Sequence, residues 1–250
     1  MIELTKITTG YGKHTVLADV TAAFEKSAVT GIIGANGCGK STLLKAVLGI
    51  LPADGEITID GRSLGDMSRK EVARKLAYLS QGKATPDMTV EQLVLHGRFP
   101  HLSYPRQYTG QDRKIAAAAM EQMGIAALAA APLRTLSGGM RQNAYIAMAL
   151  VQDTDYILLD EPTTYLDISH QLQLMQTLRQ LADGGKGIVA VMHDLPMAFT
   201  YCDEILLLHG GQIAAGGPPR ELFHQSCIER VFGVGLEQAP DGQRYHYRYE

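Results

Sequence analysis

Residues 28–49 read AVTGIIGANGCGKSTLLKAVLG and give the strongest indication of the fold. The stretch opens with a short apolar run containing β-branched residues, passes through a loop with three closely spaced glycines, and ends in a segment with helical periodicity. Gly49 is placed to end that helix. A strand that leads through a glycine-rich loop directly into a helix is typical of α/β folds, so we expect strands and helices to alternate along the chain.

The rest of the chain extends this pattern. Residues 1–9 alternate apolar and polar side chains, which predicts a half-buried antiparallel strand. Further strands are predicted at 56–60, 75–80, 156–160, 187–192 and 204–209. Between about 83 and 135 the pattern becomes helical, as in TVEQLVLHG and DRKIAAAAMEQMGI. We therefore expect an α/β core with a mostly parallel sheet over 1–82 and 136–250, an N-terminal antiparallel β portion, and an inserted helical subdomain over about 83–135.

Composition excludes several classes of protein. The 250 residues include 23 basic and 26 acidic side chains, a net charge of −3, which disfavours nucleic-acid binding through bulk positive charge. We expect no nucleic-acid partner. The three cysteines form no metal-binding pattern, which favours a reducing compartment. No apolar run approaches the ~18–20 residues that a membrane-spanning helix needs.

The glycine loop, GANGCGKST, fits the pattern G-x-x-x-x-G-K-[ST]. Glycines let backbone N–H groups wrap closely around phosphate oxygens, and the following helix adds the positive end of its dipole. Lys40 is expected to reach the β- and γ-phosphates, and Ser41 to place its hydroxyl on Mg²⁺. Cys38 is either a small buried side chain or a thiolate favoured by the neighbouring Lys40. The predicted ATP-binding residues here are Gly34, Ala35, Asn36, Gly37, Cys38, Gly39, Lys40, Ser41 and Thr42.

Two further motifs carry candidate chemistry. YILLDE is an apolar strand that ends in two carboxylates. Asp160 is suited to holding Mg²⁺, and Glu161 to polarising an attacking water molecule. The alternative is that the two residues form a solvated acidic end of the strand. LSGGMRQ places Ser137, Gly138 and Gly139 at a predicted helix start, which makes either an ordinary helix cap or a second anion-binding end. In a two-fold dimer each such end can close over the nucleotide of the partner.

Along the chain, GANGCGKST resembles the Walker A motif, LSGGMRQ the signature and YILLDE the Walker B motif of the ATP-binding subunits of ABC transporters. The resemblance covers essentially the whole chain. The resemblance implies that Glu161 is the general base and that His193 in VMHD holds the γ-phosphate. It also implies that Gln81 joins Ser41 and Asp160 at Mg²⁺ and links the nucleotide site to the membrane subunits. Asp167 in TTYLD matches the D-loop, and Tyr11 matches the aromatic residue that stacks on adenine.

Without the family context, Tyr11 would be a turn aromatic, Gln81 a surface amide and His193 a polar strand end. Met140 departs from the family, which usually has Gln or Glu after LSGG.

The stretches EPTTYLDISHQ and HGRFPH resemble importers of iron(III)–siderophore complexes, with haem and cobalamin importers as alternatives. The resemblance implies a homodimer at the cytoplasmic face of the membrane, bound to permease subunits and indirectly served by an extracytoplasmic substrate-binding protein. The 97–110 loop would dock the permease, with Phe99, Tyr104 and Tyr108 as candidate contacts or as ordinary loop aromatics. The rival function is that of a soluble ABC protein acting as an ATP-gated scaffold.

Overall fold

The structure, a computed structural model, describes residues 1–81, 85–164, 166–225 and 227–248. It contains two compact units, one formed by Met1–Met67 together with Met175–Glu250 and the other by Ser68–Leu174. Two predictions fall partly outside the described residues: the subdomain boundary at 82/83 and Tyr165 of TTYLD. No helix in the described ranges combines the length and apolar character needed to cross a bilayer.

The regular elements follow in chain order. The strands are β1 (Ile2–Tyr11), β2 (His14–Phe24), β3 (Val29–Ile33), β4 (Ala53–Ile59), β5 (Arg62–Ser63), β6 (Leu76–Leu79), β7 (Tyr156–Asp160), β8 (Gly187–Val191), β9 (Glu204–His209), β10 (Gln212–Gly217), β11 (Gly235–Gln238) and β12 (Tyr245–Arg248). The helices are α1 (Lys40–Val47), α2 (Arg69–Lys75), α3 (Val90–His96), α4 (Gly110–Gln122), α5 (Gly138–Val151), α6 (Ile168–Asp183), α7 (Leu195–Tyr201), α8 (Pro219–Phe223) and α9 (Cys227–Phe232).

The first unit contains parallel strand pairing at its centre. Its strands run in the order β10-β9-β3-β8, and β3 is parallel to both β8 and β9. Every residue of β3 and β8 is buried, because both faces of these strands are covered, and their sequences, VTGII and GIVAV, are apolar except for Thr30. The antiparallel sheet β2-β1-β4-β5 belongs to the same unit. The buried positions of β1 are Ile2, Leu4, Ile7 and Thr9, so the alternating pattern of the first residues predicted this strand correctly.

The second unit pairs β6 with β7 in parallel and contains α2–α5. Three of its helices begin at capping boxes, in which Ser68 pairs with Glu71, Thr89 with Gln92 and Thr109 with Asp112. The predicted helices at 89–97 and 112–125 are therefore present as α3 and α4. The predicted α/β fold, with parallel strands and an N-terminal antiparallel portion, is confirmed; the subdomain limits at about 83 and 135 stay a prediction.

A buried ion pair holds the second unit together beyond its helix caps. The Nε of Arg98 donates to Asp112 at 2.9 Å, and their side chains are 11% and 8% exposed. Arg98 also donates to the carbonyl of Val151 at 2.8 Å, at the end of α5. Hydrogen bonds from the backbone N–H and the hydroxyl of Thr109, and then from Arg98, lower the pKa of Asp112 to about 2. The pair therefore connects the beginning of α4 to the segment after α3 and to the end of α5.

We predict that Asp112→Asn lowers the free energy of unfolding by about 3 kcal/mol at neutral pH, because it leaves the Arg98 charge buried without its counter-charge. The folded-state pKa of about 2 lies below the unfolded value of ~3.9, so this stabilisation is present above pH 4 and is lost as the pH falls toward 2. Denaturant titrations at pH 7 and pH 3 measure it, and the difference between the two proteins should be smaller at pH 3. Asp87→Asn is the matched control, because Asp87 and its partner Arg134 are 82% and 67% exposed. Equal losses in the two variants would contradict the prediction.

Candidate functional site

The glycine loop between β3 and α1 follows a path that only glycine permits. Gly34, Gly37 and Gly39 all have positive φ, at 157°, 78° and 108°. A Cβ atom at Gly34 would collide with the carbonyl oxygen of Leu208, and one at Gly39 would lie 2.5 Å from the Leu17 side chain. The glycines are therefore required both by conformation and by space.

Lys40 places its charge inside this loop. It is 5% exposed, and its ammonium group donates to the carbonyl oxygens of Gly34 at 2.8 Å and Ala35 at 3.0 Å. Both acceptors are uncharged, so they orient the ammonium group without neutralising it. Ala35, Asn36 and Gly37 are exposed, which makes this part of the loop accessible from solvent. A buried cation beneath an exposed glycine loop is suited to an anionic ligand.

Cys38 corrects one expectation. The residue is 9% exposed, and burial raises the pKa of its thiol even though Lys40 acts in the opposite direction. The prediction that Lys40 favours a thiolate here is therefore wrong: desolvation outweighs the attraction of the cation. At neutral pH Cys38 is a small thiol packed beneath the loop.

Helix α1 connects the loop to the predicted adenine-binding aromatic. Ser41 and Thr42 lie in its first turn, half-buried and buried. Further along, Lys45 donates to the hydroxyl of Tyr11 at 3.3 Å, and its ammonium group lies 5.7 Å from the ring centroid. The Tyr11 side chain is 49% exposed, so its ring is held at one edge and remains accessible.

His193 follows β8 and precedes α7, and it is exposed. The next residue, Asp194, caps α7 by accepting the backbone N–H of Met197 at 2.7 Å. Tyr11, the glycine loop and His193 all belong to the first unit.

In the second unit, parallel pairing of β6 and β7 brings together residues that are 80 positions apart in sequence. The amide of Gln81 donates to a carboxylate oxygen of Glu161, and the hydroxyl of Thr164 donates to the same oxygen at 3.3 Å. Glu161 has φ of 53°, a left-handed conformation that is costly for a residue with a side chain. Asp160, one residue earlier, is 5% exposed and accepts a hydrogen bond from Tyr78 at 3.3 Å. The two predicted carboxylates therefore end β7 with different environments and different partners.

A cavity of about 250 Å³ opens beside these carboxylates. Besides Gln81, Asp160 and Glu161, it is lined by Arg141 and Gln142. The sequence analysis did not assign a role to these two residues. Their position in the LSGGMRQ motif could have identified them as candidate site residues.

The signature-like segment begins α5. The Ser137 hydroxyl accepts the backbone N–H of Met140 at 3.3 Å, so the serine acts as the helix cap, and the Met140 side chain is 44% exposed. Gly139 is buried against His170: a Cβ atom there would lie 2.7 Å from the ring Nε2.

His170 is in turn held by Asp167. The imidazole Nδ1 lies 2.8 Å from the carboxylate of Asp167, which also accepts the backbone N–H of His170 at 2.9 Å and the hydroxyl of Ser169 at 2.8 Å. These hydrogen bonds, that of the backbone N–H first, lower the pKa of Asp167 to about 2. The structure thus brings the Asp167 segment and the start of α5 together through His170, which the sequence analysis did not single out.

Comparison with known proteins decides the family. Residues 17–164 match the family model described as ABC transporter. The chain belongs to the ABC transporter family. It is 43% identical to the ferric enterobactin transport ATP-binding protein FepC of Escherichia coli (strain K12), over 92% of this chain and 86% of that protein. It is 39% identical to the achromobactin transport ATP-binding protein CbrD of Dickeya dadantii (strain 3937), over 94% and 89% of the two chains.

Among solved structures, cbiO1 from Clostridium perfringens, part of the ABC transporter complex cbiONQ, is 27% identical with a TM-score of 0.79 and covers 92% of each chain. This ABC protein is thus an ATP-binding subunit of a transport ATPase, an enzyme that hydrolyses ATP to power transport.

We predict that Gly139→Ala in this ABC subunit lowers the melting temperature, because the new methyl group overlaps the His170 ring. The cost should be about 1–3 kcal/mol. Adding His170→Ala should recover part of the loss by opening space for the methyl group. Thermal denaturation of the two single variants and the double variant measures this coupling.

Gly138→Ala is the neighbouring control, since Gly138 is only half-buried. A double variant whose loss equals the sum of the two single losses would show that the close approach of Gly139 and His170 does not limit stability.

Proposed function

We propose that this protein is the ATP-hydrolysing subunit of an importer that carries an iron(III)–siderophore complex or a related metal chelate through a permease dimer. The main support for this choice of cargo is the 43% identity, over 92% of the chain, to a ferric enterobactin transport protein. Relatives named for achromobactin and petrobactin, at 39% and 38% identity, support the same class of cargo. A cobalamin import protein is 35% identical over 57% of its own length, which keeps cobalamin, with haem, as the alternative.

In this proposal the glycine loop binds the triphosphate. The backbone N–H groups of Gly34–Lys40 and the Lys40 ammonium group face the β- and γ-phosphates, and the exposed ring of Tyr11 stacks on adenine. Lys45 supports that stacking by holding the Tyr11 hydroxyl. His193 contacts the γ-phosphate. The charge of Lys40, buried but not cancelled by its carbonyl acceptors, supports this assignment.

Ser41, Gln81 and Asp160 would hold Mg²⁺. Their oxygen donors are a hydroxyl, an amide carbonyl and a carboxylate, the types that Mg²⁺ prefers. Gln81 turns its amide nitrogen toward Glu161, which leaves its carbonyl oxygen as the end that can coordinate. Within the described ranges, no group of three or more His, Cys, Asp and Glu side chains is arranged to hold a metal ion. When bound, Mg²⁺ supplies charge neutralisation at the β- and γ-phosphates.

Glu161 is the proposed general base. The oxygen of a water molecule bonds to the γ-phosphorus, the bond to the bridging oxygen of ADP breaks, and the water proton passes to the Glu161 carboxylate. Hydrogen bonds from Gln81 and Thr164 fix one oxygen of this carboxylate and support the assignment. Because Gln81 contacts Glu161 directly, movement of Gln81 by the permease would change the position of the base.

A second copy of the chain is the proposed partner across the nucleotide. Ser137, Gly138 and Gly139 at the start of α5, with Asp167, would then close over the ATP of the other subunit. The Met140 side chain has no hydrogen-bond donor, so closure here would depend on the backbone and on Ser137. An extracytoplasmic substrate-binding protein would deliver the cargo, and the subunit would lie at the cytoplasmic face of the membrane as a peripheral protein.

The loop after α3 is the proposed permease contact. Phe99 and Tyr104 are 46% and 97% exposed, and the Arg106 guanidinium lies 4.6 Å from the Phe99 ring centroid. The base of the loop is anchored, because Arg98 and His101 contact the backbone carbonyls of Val151 and Gln152. Exposed aromatic and arginine side chains on an anchored base are suited to a protein interface.

We predict that Glu161→Gln binds ATP but turns it over at least ~100-fold more slowly, because the amide cannot accept the proton from water. It should also accumulate as an ATP-bound dimer, since hydrolysis no longer opens the closed state. Steady-state ATPase assays and size-exclusion chromatography with and without ATP measure both effects. Glu121→Gln, an exposed change in α4, is the control. Near-normal turnover of Glu161→Gln would refute the base assignment.

We predict that Phe99→Ala with Tyr104→Ala spares ATP binding and weakens permease association by roughly thirtyfold, taking ~1 kcal/mol for each truncated aromatic. Tyr108 is left unchanged because it is half-buried and its loss would disturb the loop itself. Co-purification of the permease and uptake of an iron(III) chelate are the measurements. Ile50→Ala, at another exposed apolar residue (62%), is the control.

If no membrane protein co-purifies with the wild-type chain, the soluble-scaffold function is favoured instead. If association and uptake are unchanged in the double variant, the loop is not the coupling surface.

A further inference from the structure

The C-terminal segment forms a small hairpin that the sequence analysis left without a role. Strands β11 and β12 pair antiparallel, with Leu236 opposite Tyr247 and Gln238 opposite Tyr245. In the connecting turn, Asp241 accepts the backbone N–H groups of Gln243 and Arg244 at 2.9 and 3.1 Å. The hairpin is therefore an ordered element with its own hydrogen bonds.

This hairpin packs on α7 at both ends of the helix. The hydroxyl of Tyr247 accepts the backbone N–H of Leu195, the first residue of α7, at 3.3 Å. Near the other end, the backbone N–H of Tyr245 donates to the hydroxyl of Thr200 at 3.3 Å. The Tyr245 ring is 7% exposed and makes an edge contact with Phe199 at a centroid distance of 5.4 Å.

The contact between Tyr247 and Leu195 lies two residues after His193. The backbone N–H groups in the first turn of a helix have no acceptor within the helix. In α7 the Asp194 carboxylate takes the N–H of Met197, and the Tyr247 hydroxyl takes that of Leu195. One contact is local and the other joins residues 52 positions apart. Together they fix the direction in which the backbone leaves His193.

We propose that Tyr247 is a positioning residue for His193, and that the C-terminal hairpin clamps α7 so that the His193 imidazole is held where it can meet a γ-phosphate. The inference rests on the proposed role of His193 in ATP hydrolysis. Tyr247 acts through the backbone of Leu195. This hydroxyl thereby supports the hydrolysis machinery from outside the nucleotide-binding motifs.

The test compares two substitutions that remove the same atom from the same strand. Tyr247→Phe deletes the hydroxyl that accepts the Leu195 N–H. Tyr245→Phe, the matched control, deletes a hydroxyl whose contact with Gln238 lies inside the hairpin. Steady-state ATPase assays give kcat and KM, and a fluorescent ATP analogue gives the affinity for nucleotide.

We expect Tyr247→Phe to lower kcat by about threefold to tenfold, the effect of one hydrogen bond, with nucleotide affinity unchanged. Tyr245→Phe should change kcat by less than twofold. Amide hydrogen exchange over residues 193–197 should accelerate in Tyr247→Phe alone. Similar melting temperatures for the two variants would separate positioning from general stability.

The His193→Ala background supplies the decisive comparison, with single-turnover assays at excess enzyme to follow slow hydrolysis. If Tyr247 acts through His193, then Tyr247→Phe causes no further loss in that background. An equal loss in both backgrounds, or equal kcat values for the two tyrosine variants, would overturn the inference. Wild-type turnover by His193→Ala would instead refute the proposed role of His193, a separate outcome that does not depend on either tyrosine.

Discussion

The chain has almost no space where it leaves β3 and enters α1, and the candidate phosphate site depends on that constraint. A side chain at Gly34 would collide with the Leu208 carbonyl of the neighbouring strand, and one at Gly39 would meet Leu17. The backbone therefore passes close to its neighbours in conformations with positive φ. This path turns the carbonyl groups of Gly34 and Ala35 toward Lys40, a cation that is only 5% exposed. The same crowding explains why Cys38 stays protonated beside that cation, since burial removes the water that a thiolate needs.

In the second unit the comparable constraint is the end of β7. Glu161 adopts a left-handed backbone conformation, which costs of order 1–3 kcal/mol for a residue with a side chain. Hydrogen bonds from Gln81 and Thr164 to its carboxylate offset part of this cost. Strain at this position is consistent with a functional residue, because the turn sends the carboxylate to the cavity lined by Arg141 and Gln142.

Residues outside the sequence motifs hold the motif residues in place. His170 joins Asp167 to Gly139, Lys45 holds Tyr11, and the C-terminal hairpin contacts the helix that follows His193. Each support comes from residues outside the motif that it holds. Such contacts limit the freedom of loops whose geometry matters for phosphoryl transfer, a reaction that depends mainly on positioning and electrostatics.

Sequence patterns were sufficient to predict the α/β fold, the strand-loop-helix unit at residues 28–49, the half-buried first strand and the family, because these depend on local periodicity and on short motifs with fixed spacing. They also supplied Asp160, Glu161, Lys40 and Ser137 as candidates. Three contacts became visible only in three dimensions: that of Gln81 with Glu161, that of His170 with Gly139, and that of Tyr247 with the first residue of α7. The structure also showed that Cys38 is the small buried side chain and not a thiolate. These features depend on distance and burial between residues far apart in the chain, and a linear pattern carries neither quantity.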